Sequence, residues 1–167
     1  MSDKNETSQV NPDDFRIDTL DDEIRADRQC TELLKGFAAS MVQDHQLPPL
    51  EAGQLAHGAD PFLRDYLIAN RRENLFQPSP GRVRQFAGHF YIVNNMEPNR
   101  RELASMLAGI EAFYRYCLEQ GWVNAALIET ITEECAAIDD YAARIESFWD
   151  LKDDGFIAWR QEIPIDK

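Results

Sequence analysis

The sequence predicts an all-α protein, a single-domain bundle of five or six helices with a long C-terminal helix and a short extended tail. Apolar residues recur every three or four positions through most of the chain, which is the spacing of one buried helical face. Residues that favour helix N-termini precede several of these segments, and no segment alternates convincingly with a period of two. A chain of 167 residues is long enough to bury a full core.

The first half of the chain contains three predicted helices. Asp18 or Thr19 caps the first, which runs to about Asp44. Its apolar side consists of Leu20, Ile24, Leu34, Phe37, Ala38 and Met41. A short helix follows in the segment LPPLEAGQLAHG. Asp60 and Pro61 then place a cap before a proline at the first helical position, which predicts a third helix through FLRDYLIANRREN.

Two further helices are predicted before residue 121. Ser79 and Pro80 repeat the combination of cap and proline, and the helix that they begin runs to about Asn95. Asn99 then caps the next helix, with Glu102 three residues further on in the spacing of a capping box.

The segment IEAFYRYCLEQGWV, residues 110–123, contains four aromatic rings within about three helical turns. At 100° per residue, most apolar side chains of this helix fall within an arc of about 140°, which includes Phe113 and Tyr114. Tyr116 falls outside that arc. We therefore expect the rings to be core rather than an outward stacking platform, with Tyr116 the least buried.

The longest predicted helix begins at Asn124 and reaches about Leu151. Its apolar positions form a heptad-like seam. They are Ile128, Ile131, Cys135, Ile138, Ala142, Ile145 and Trp149. The seam either closes the bundle or forms a dimer interface. We favour a monomer in which the first helix covers Trp149.

The domain prediction divides the chain into three parts. Residues 1–17 are predicted to be a flexible acidic leader, because they are polar and lack an apolar period. Residues 18–153 form the helical domain. Residues 154–167, with the weakly alternating sequence GFIAWRQEIPIDK, are predicted to be an extended C-terminal arm.

Composition restricts the compartment and the partners. The net charge of −13 repels nucleic-acid phosphates at long range, so nucleic acid is not an expected partner. No window approaches the length of a transmembrane helix, and the N-terminus lacks the pattern of a secretory signal. Cys30, Cys117 and Cys135 lie in apolar helical patterns, which favours buried free thiols and a cytoplasmic location.

No pattern predicts a metal, a cofactor or a catalytic group. No glutamate is followed by a histidine three residues later, as di-iron bundles require, and the three histidines are isolated. The sequence contains neither a nucleophile elbow nor a glycine-rich phosphate loop. The acidic cluster of Glu133, Glu134, Asp139 and Asp140 fits a solvated helix face better than a metal site.

One feature favours a binding function. Residues 64–101 carry seven arginines and only three carboxylates, whereas the flanking segments are strongly acidic. This arginine belt consists of Arg64, Arg71, Arg72, Arg82, Arg84, Arg100 and Arg101. Arginine binds carboxylate and phosphate groups in a bidentate manner, so the belt is the candidate site for an anion or an acidic partner. The alternative is that these arginines pair with the protein's own carboxylates.

Residues 86–123 resemble part of a known family. A helix ends in a turn, and the next helix carries the aromatic stretch Ala112-Phe113-Tyr114-Arg115-Tyr116 before Gly121-Trp122-Val123. This layout is similar to the helical core-binding, SAM-like domains of tyrosine recombinases. The resemblance implies a compact helical domain and DNA binding through basic faces. It covers less than a quarter of the chain.

The sequence therefore predicts a non-enzymatic cytoplasmic domain that binds another protein, through the arginine belt or through the acidic outer faces. A DNA-binding accessory domain and an enzyme of unrecognised type stay open as alternatives.

Overall fold

A computed structural model describes residues 10–163, and all the regular secondary structure of this part of the chain is helical. The all-α prediction is confirmed, but five or six helices is too low a number, because the described residues form seven. They are α1 (Leu20–Gln43), α2 (Pro49–Asp60), α3 (residues 82–93), α4 (Arg100–Glu119), α5 (Ala125–Ala136), α6 (Ile138–Trp149) and α7 (Gly155–Gln161). The backbone is wound as a π-helix over Pro61–Arg71, directly after α2, and over Phe86–Phe90, inside α3.

Helix α1 begins with the predicted cap. The Thr19 hydroxyl accepts a hydrogen bond from the amide of Asp22, and the Asp22 carboxylate accepts one from the amide of Thr19. This reciprocal pair satisfies two amides that have no partner within the helix. The predicted apolar stripe is wrong at its start, because Leu20 and Ile24 are exposed. The buried face of α1 begins at Ala26.

Helices α2 and α4 cross at two glycines. A Cβ atom added to Gly109 would overlap the carbonyl oxygen of Leu55, and one added to Gly58 would lie 2.7 Å from the carbonyl oxygen of Ser105. The two backbones are therefore in direct contact, and only glycine fits at either position. No other pair of helices in the described chain has as extensive a contact.

The aromatic stretch of α4 is core, as predicted. Phe113 and Tyr114 are fully buried, and the Tyr114 hydroxyl donates a hydrogen bond to the carbonyl of Leu75 at 2.7 Å. The prediction for Tyr116 is wrong, because its side chain is only 3% exposed.

Two neighbours explain the burial of Tyr116. The ring of Phe37 in α1 lies 5.5 Å from it, and the ring of Trp122 lies 5.6 Å from it. Gly121, at φ +81°, ends the helix and turns Trp122 back towards α4. Helix α4 therefore has a second buried face at Tyr116, outside the apolar arc that its sequence periodicity predicts.

The predicted helix from Asn124 to Leu151 is two helices, broken at Ala137. In a continuous helix the carbonyl of Glu134 would accept the amide of Ile138. Here that carbonyl accepts the hydroxyl of Tyr141 at 2.7 Å. The long seam is consequently wrong, and Trp149 is 57% exposed rather than covered by α1.

Both ends of the predicted domain need correction. The prediction of an extended arm is wrong for Gly155–Gln161, which is helical and buries Trp159. Of the predicted leader, residues 1–9 lie outside the described residues. Pro12–Phe15 form a 3₁₀ turn, and Phe15 packs against Phe76 with ring centroids 5.0 Å apart. The packed core therefore includes side chains on both sides of the predicted limits.

Within residues 10–163, no helix combines the length and the apolar character that a membrane span needs.

The glycine crossing generates a paired test. Gly109→Ala should destabilise the fold by about 1–3 kcal/mol, because the added methyl group meets backbone that must move. Gly53→Ala, also within a helix, has open space around its Cβ position and should stabilise by about 0.5–1 kcal/mol through the unfolded chain. Urea unfolding of both variants measures the difference. Equal effects would contradict the close crossing.

Candidate functional site

The arginine belt does not form one free cationic surface. Arg64 binds Asp27 with two parallel hydrogen bonds, of 2.9 and 3.2 Å, and also contacts Asp60. The hydrogen bonding that Arg64 donates to the Asp27 carboxylate raises the pKa of Arg64, and the partial burial of the guanidinium opposes this effect. Arg72 pairs with Glu23 at 3.3 Å. Both arginines therefore tie the π-helix to α1.

Arg82 is buried at the start of α3. Its guanidinium donates to the Glu73 carboxylate at 2.6 Å and to Gln85 at 2.7 Å, and Gln85 also accepts the hydroxyl of Tyr66. Burial by itself raises the pKa of Glu73, but hydrogen bonds from Arg82 and Ser79 outweigh it, so this pKa lies below its ordinary value. Arg82 is thus part of the core.

The remaining members of the belt are separated from these. Arg100 pairs with Asp139 of α6 at 2.7 Å, and both side chains are well exposed. Arg71 is half-buried at the end of the π-helix. Arg84 and Arg101 are exposed, and neither forms an ion pair with another described residue. Four of the seven guanidinium groups therefore bind the protein's own carboxylates, in different places.

The acidic cluster is also engaged locally. The Glu134 carboxylate accepts the amides of Gly81 and Arg84, at 3.0 and 2.9 Å, and so caps the N-terminus of α3. The residues described here contain no group of three or more side chains arranged to hold a metal ion.

The burial of Arg82 generates a stability prediction. Glu73→Gln should cost about 3 kcal/mol, because it leaves a guanidinium buried without its counter-charge. Asp139→Asn removes the partner of Arg100 from an exposed pair and should cost less than about 1 kcal/mol. Thermal and urea unfolding of the two variants give the comparison. A small cost for Glu73→Gln would show that Arg82 has access to water.

A groove of about 670 Å³ runs along the outer face of α1. Its floor is made by small side chains, Gly36, Ala39 and Ser40, on the face of α1 that points away from the core. The groove extends from Arg28 to Asp44, a length of about 24 Å at 1.5 Å per helical residue. It is larger than the clefts beside Pro78 and beside Met96, of about 190 and 510 Å³.

Aromatic rings form the walls of this groove. Phe15, Tyr116 and Trp122 are among its lining residues. Phe76 packs against two of these rings, with its own ring 5.0 Å from Phe15 and 5.7 Å from Trp122. Burial raises the pKa of Tyr116 to about 12, and the nearby Asp44 adds to this effect. The hydroxyl therefore stays protonated at neutral pH and can donate a hydrogen bond.

Acidic side chains surround the groove. Asp14, Glu32 and Asp44 line it together with the cation Arg28, and Glu32 is paired with Lys35 at 3.0 Å. The side-chain oxygen of Gln29 is buried there and accepts no hydrogen bond from residues 10–163. A ligand that supplies positive charge and hydrogen-bond donors is the chemical complement of this surface.

The sequence reasoning missed the groove residues. The signal was present, because Gly36, Ala39 and Ser40 recur at helical spacing opposite the apolar stripe of α1. Small residues on an exposed helix face permit close approach of another helix.

A second unpredicted cluster lies under α7. Arg144 is buried and donates to the carbonyls of Gly88 and Trp159, at 2.9 and 2.7 Å, and to the Glu162 carboxylate. Its guanidinium carbon lies 3.8 Å from the centre of the Trp159 ring, a cation–π arrangement. The ring of His89 lies 5.5 Å from the same indole. Burial lowers the pKa of His89, and the positive charge of Arg144 adds to this effect.

This cluster predicts a loss of stability at mildly acidic pH. The folded protein holds His89 neutral, while in the unfolded chain histidine titrates near pH 6.5. The pKa of His89 is lower in the folded protein than in the unfolded chain, so between the two values the unfolded state binds more protons. The free energy of unfolding should therefore decrease as the pH falls below about 6.5. Arg144 and Arg160 repel the added charge, and the buried Nδ1 has no hydrogen-bond partner among residues 10–163.

Urea unfolding between pH 7.5 and 5 measures this dependence. His89→Gln should flatten it, whereas His57→Gln, at an exposed position, should leave it unchanged. An unaltered pH profile in His89→Gln would contradict the assignment.

No protein-family model matches this chain, and comparisons with curated proteins and with solved structures give no match either. The resemblance of residues 86–123 to recombinase core-binding domains stays a prediction.

Proposed function

We propose that this chain is a non-enzymatic helical interaction domain whose binding site is the groove along α1, and that its partner is a basic amphipathic helix. The observation that carries the proposal is the groove itself. Its volume is about 670 Å³, and it is lined by aromatic rings, small residues and carboxylates. Of the two predicted interaction surfaces, this proposal favours the acidic outer faces over the arginine belt.

Shape supports a helical partner. The floor at Gly36, Ala39 and Ser40 projects little beyond the helix backbone, so a second helix can approach closely, at an interaxial distance of about 8 Å. The length of the groove matches about four helical turns. An apolar stripe on the partner would lie between Phe15 and Trp122, in the helix-in-groove mode of recognition.

Charge supports a basic partner. The carboxylates of Asp14, Glu32 and Asp44 lie at the rim, where they attract lysine and arginine side chains on either edge of a docked helix. The same charges disfavour DNA, so the alternative of a DNA-binding accessory domain has less support.

A cytoplasmic location is part of the proposal. Cys30, Cys117 and Cys135 are all buried free thiols. Free thiols of this kind are typical of proteins in a reducing compartment.

Peptide titration tests the proposed function. The probe is a fluorescein-labelled amphipathic peptide of about 18 residues, built from Leu, Ala and Lys, with a matched peptide that carries Glu in place of Lys. Fluorescence anisotropy should show saturable binding of the basic peptide only, weakening with added salt because the rim charges are exposed. Ala39→Trp fills the groove and should reduce the affinity at least about tenfold, the equivalent of one lost anchoring contact.

Ala104→Trp is the matched control, since Ala104 is exposed on α4 outside the groove. It should bind the basic peptide like the unaltered chain. Equal binding of both peptides, undiminished binding by Ala39→Trp, or no binding of the basic peptide at millimolar concentration would each overturn the proposal. Tight binding of a DNA duplex would support the alternative instead.

A further inference from the structure

The C-terminal helix α7 is attached to the rest of the fold by few side chains. Of residues 155–163, only Trp159 and Ile163 are buried. Phe156 and Ile157 are exposed although they are apolar. The segment therefore packs as a short peptide with two anchors four residues apart, on one face of a helical turn.

The surface that receives these anchors is specific. The Trp159 indole nitrogen donates to the carbonyl of Arg144 and to the hydroxyl of Ser147, at 3.2 and 3.0 Å. A Cβ atom on Gly88 would overlap the Ile163 side chain, so glycine leaves the space that Ile163 occupies. Arg144 completes the surface by binding the Trp159 carbonyl and the Glu162 carboxylate. We name Gly88, Arg144 and Ser147 the α7 groove.

The connection between α6 and α7 permits exchange. Residues 150–154 contain no regular helix and carry three aspartates. Asp153 has φ +52°, in the left-handed region, which aspartate adopts more readily than most residues with a side chain but still at a cost. Opening this connection relieves that conformation, and the segment gives up its groove contacts together with short backbone hydrogen bonds such as that from the Gly155 amide to the Lys152 carbonyl.

We propose that residues 155–163 are a transferable ligand, and that the α7 groove accepts the same segment from a second copy of this chain. The side-chain contacts of Trp159, Glu162 and Ile163 join the segment to the groove and do not involve residues 150–154, so a segment from another copy makes the same contacts. Within one chain the short tether keeps the effective concentration of α7 in the millimolar range, which favours the closed monomer at ordinary concentrations. Exchange of this kind is domain swapping.

A complementation experiment tests the proposal. The full chain with Trp159→Ala has an intact groove but lacks the main anchor, whereas the full chain with Arg144→Ala has the anchor but a damaged groove. Each alone should sediment as a monomer of 19.2 kDa. Mixed at about 100 µM, they should form a one-to-one complex of twice that mass. In each variant α7 no longer binds the groove of its own chain, so intramolecular binding no longer competes with binding between the two chains.

The matched control carries Trp159→Ala and Arg144→Ala together and should pair with neither single variant. Circular dichroism verifies that each variant is folded. Where Arg144→Ala fails to fold, Gly88→Ala replaces it, since its methyl group takes the place of Ile163. A mixture of folded single variants that stays monomeric, or a double variant that pairs equally well, would overturn the proposal.

Discussion

The direct backbone contact between α2 and α4 at Gly58 and Gly109 determines where the other helices lie. Because these two helices touch without intervening side chains, the larger side chains of α4 are directed away from the crossing. One set, including Phe113 and Tyr114, enters the centre of the molecule. Tyr116 emerges on another side, where α1 covers it and the α1 groove begins. The groove thus depends on how closely two other helices pack.

Ion pairs of the arginines also connect separate parts of the fold. The chain has a net charge of −13, and several of its arginines bind groups within the protein. Arg64, Arg72 and Arg82 join helices and turns to one another, and Arg144 fastens α7. Internal pairing of these cations leaves an excess of carboxylates over cations elsewhere on the chain. At the groove along α1, Asp14 and Asp44 contribute to that excess, whereas Glu32 is paired with Lys35 at 3.0 Å.

Local signals predicted what depends on local interactions. Three such features could be predicted, because each follows from a residue and its near neighbours in sequence. They are the cap at Thr19, the turn at Gly121 and the burial of Phe113.

Features that depend on tertiary contacts could not be predicted from the sequence. The break at Ala137 depends on a hydroxyl from Tyr141 that competes for a helical carbonyl, while the apolar spacing continues unchanged through it. The arginine belt looked like one site because its members are close in sequence, and only the fold shows that their partners lie in α1, α2, α6 and the connection before α3. The groove along α1 likewise requires Phe15, which precedes α1, to line the same groove as Trp122, which follows α4.

The three cysteines have a consequence for how the protein can be observed. Burial raises the pKa of Cys135 to about 12 and also raises the pKa values of Cys30 and Cys117. Almost no thiolate exists in the closed state at neutral pH, so a thiol reagent reacts only when a helix opens. The three residues lie in α1, α4 and α5. The rate at which a reagent labels each thiol therefore measures how often that part of the bundle opens.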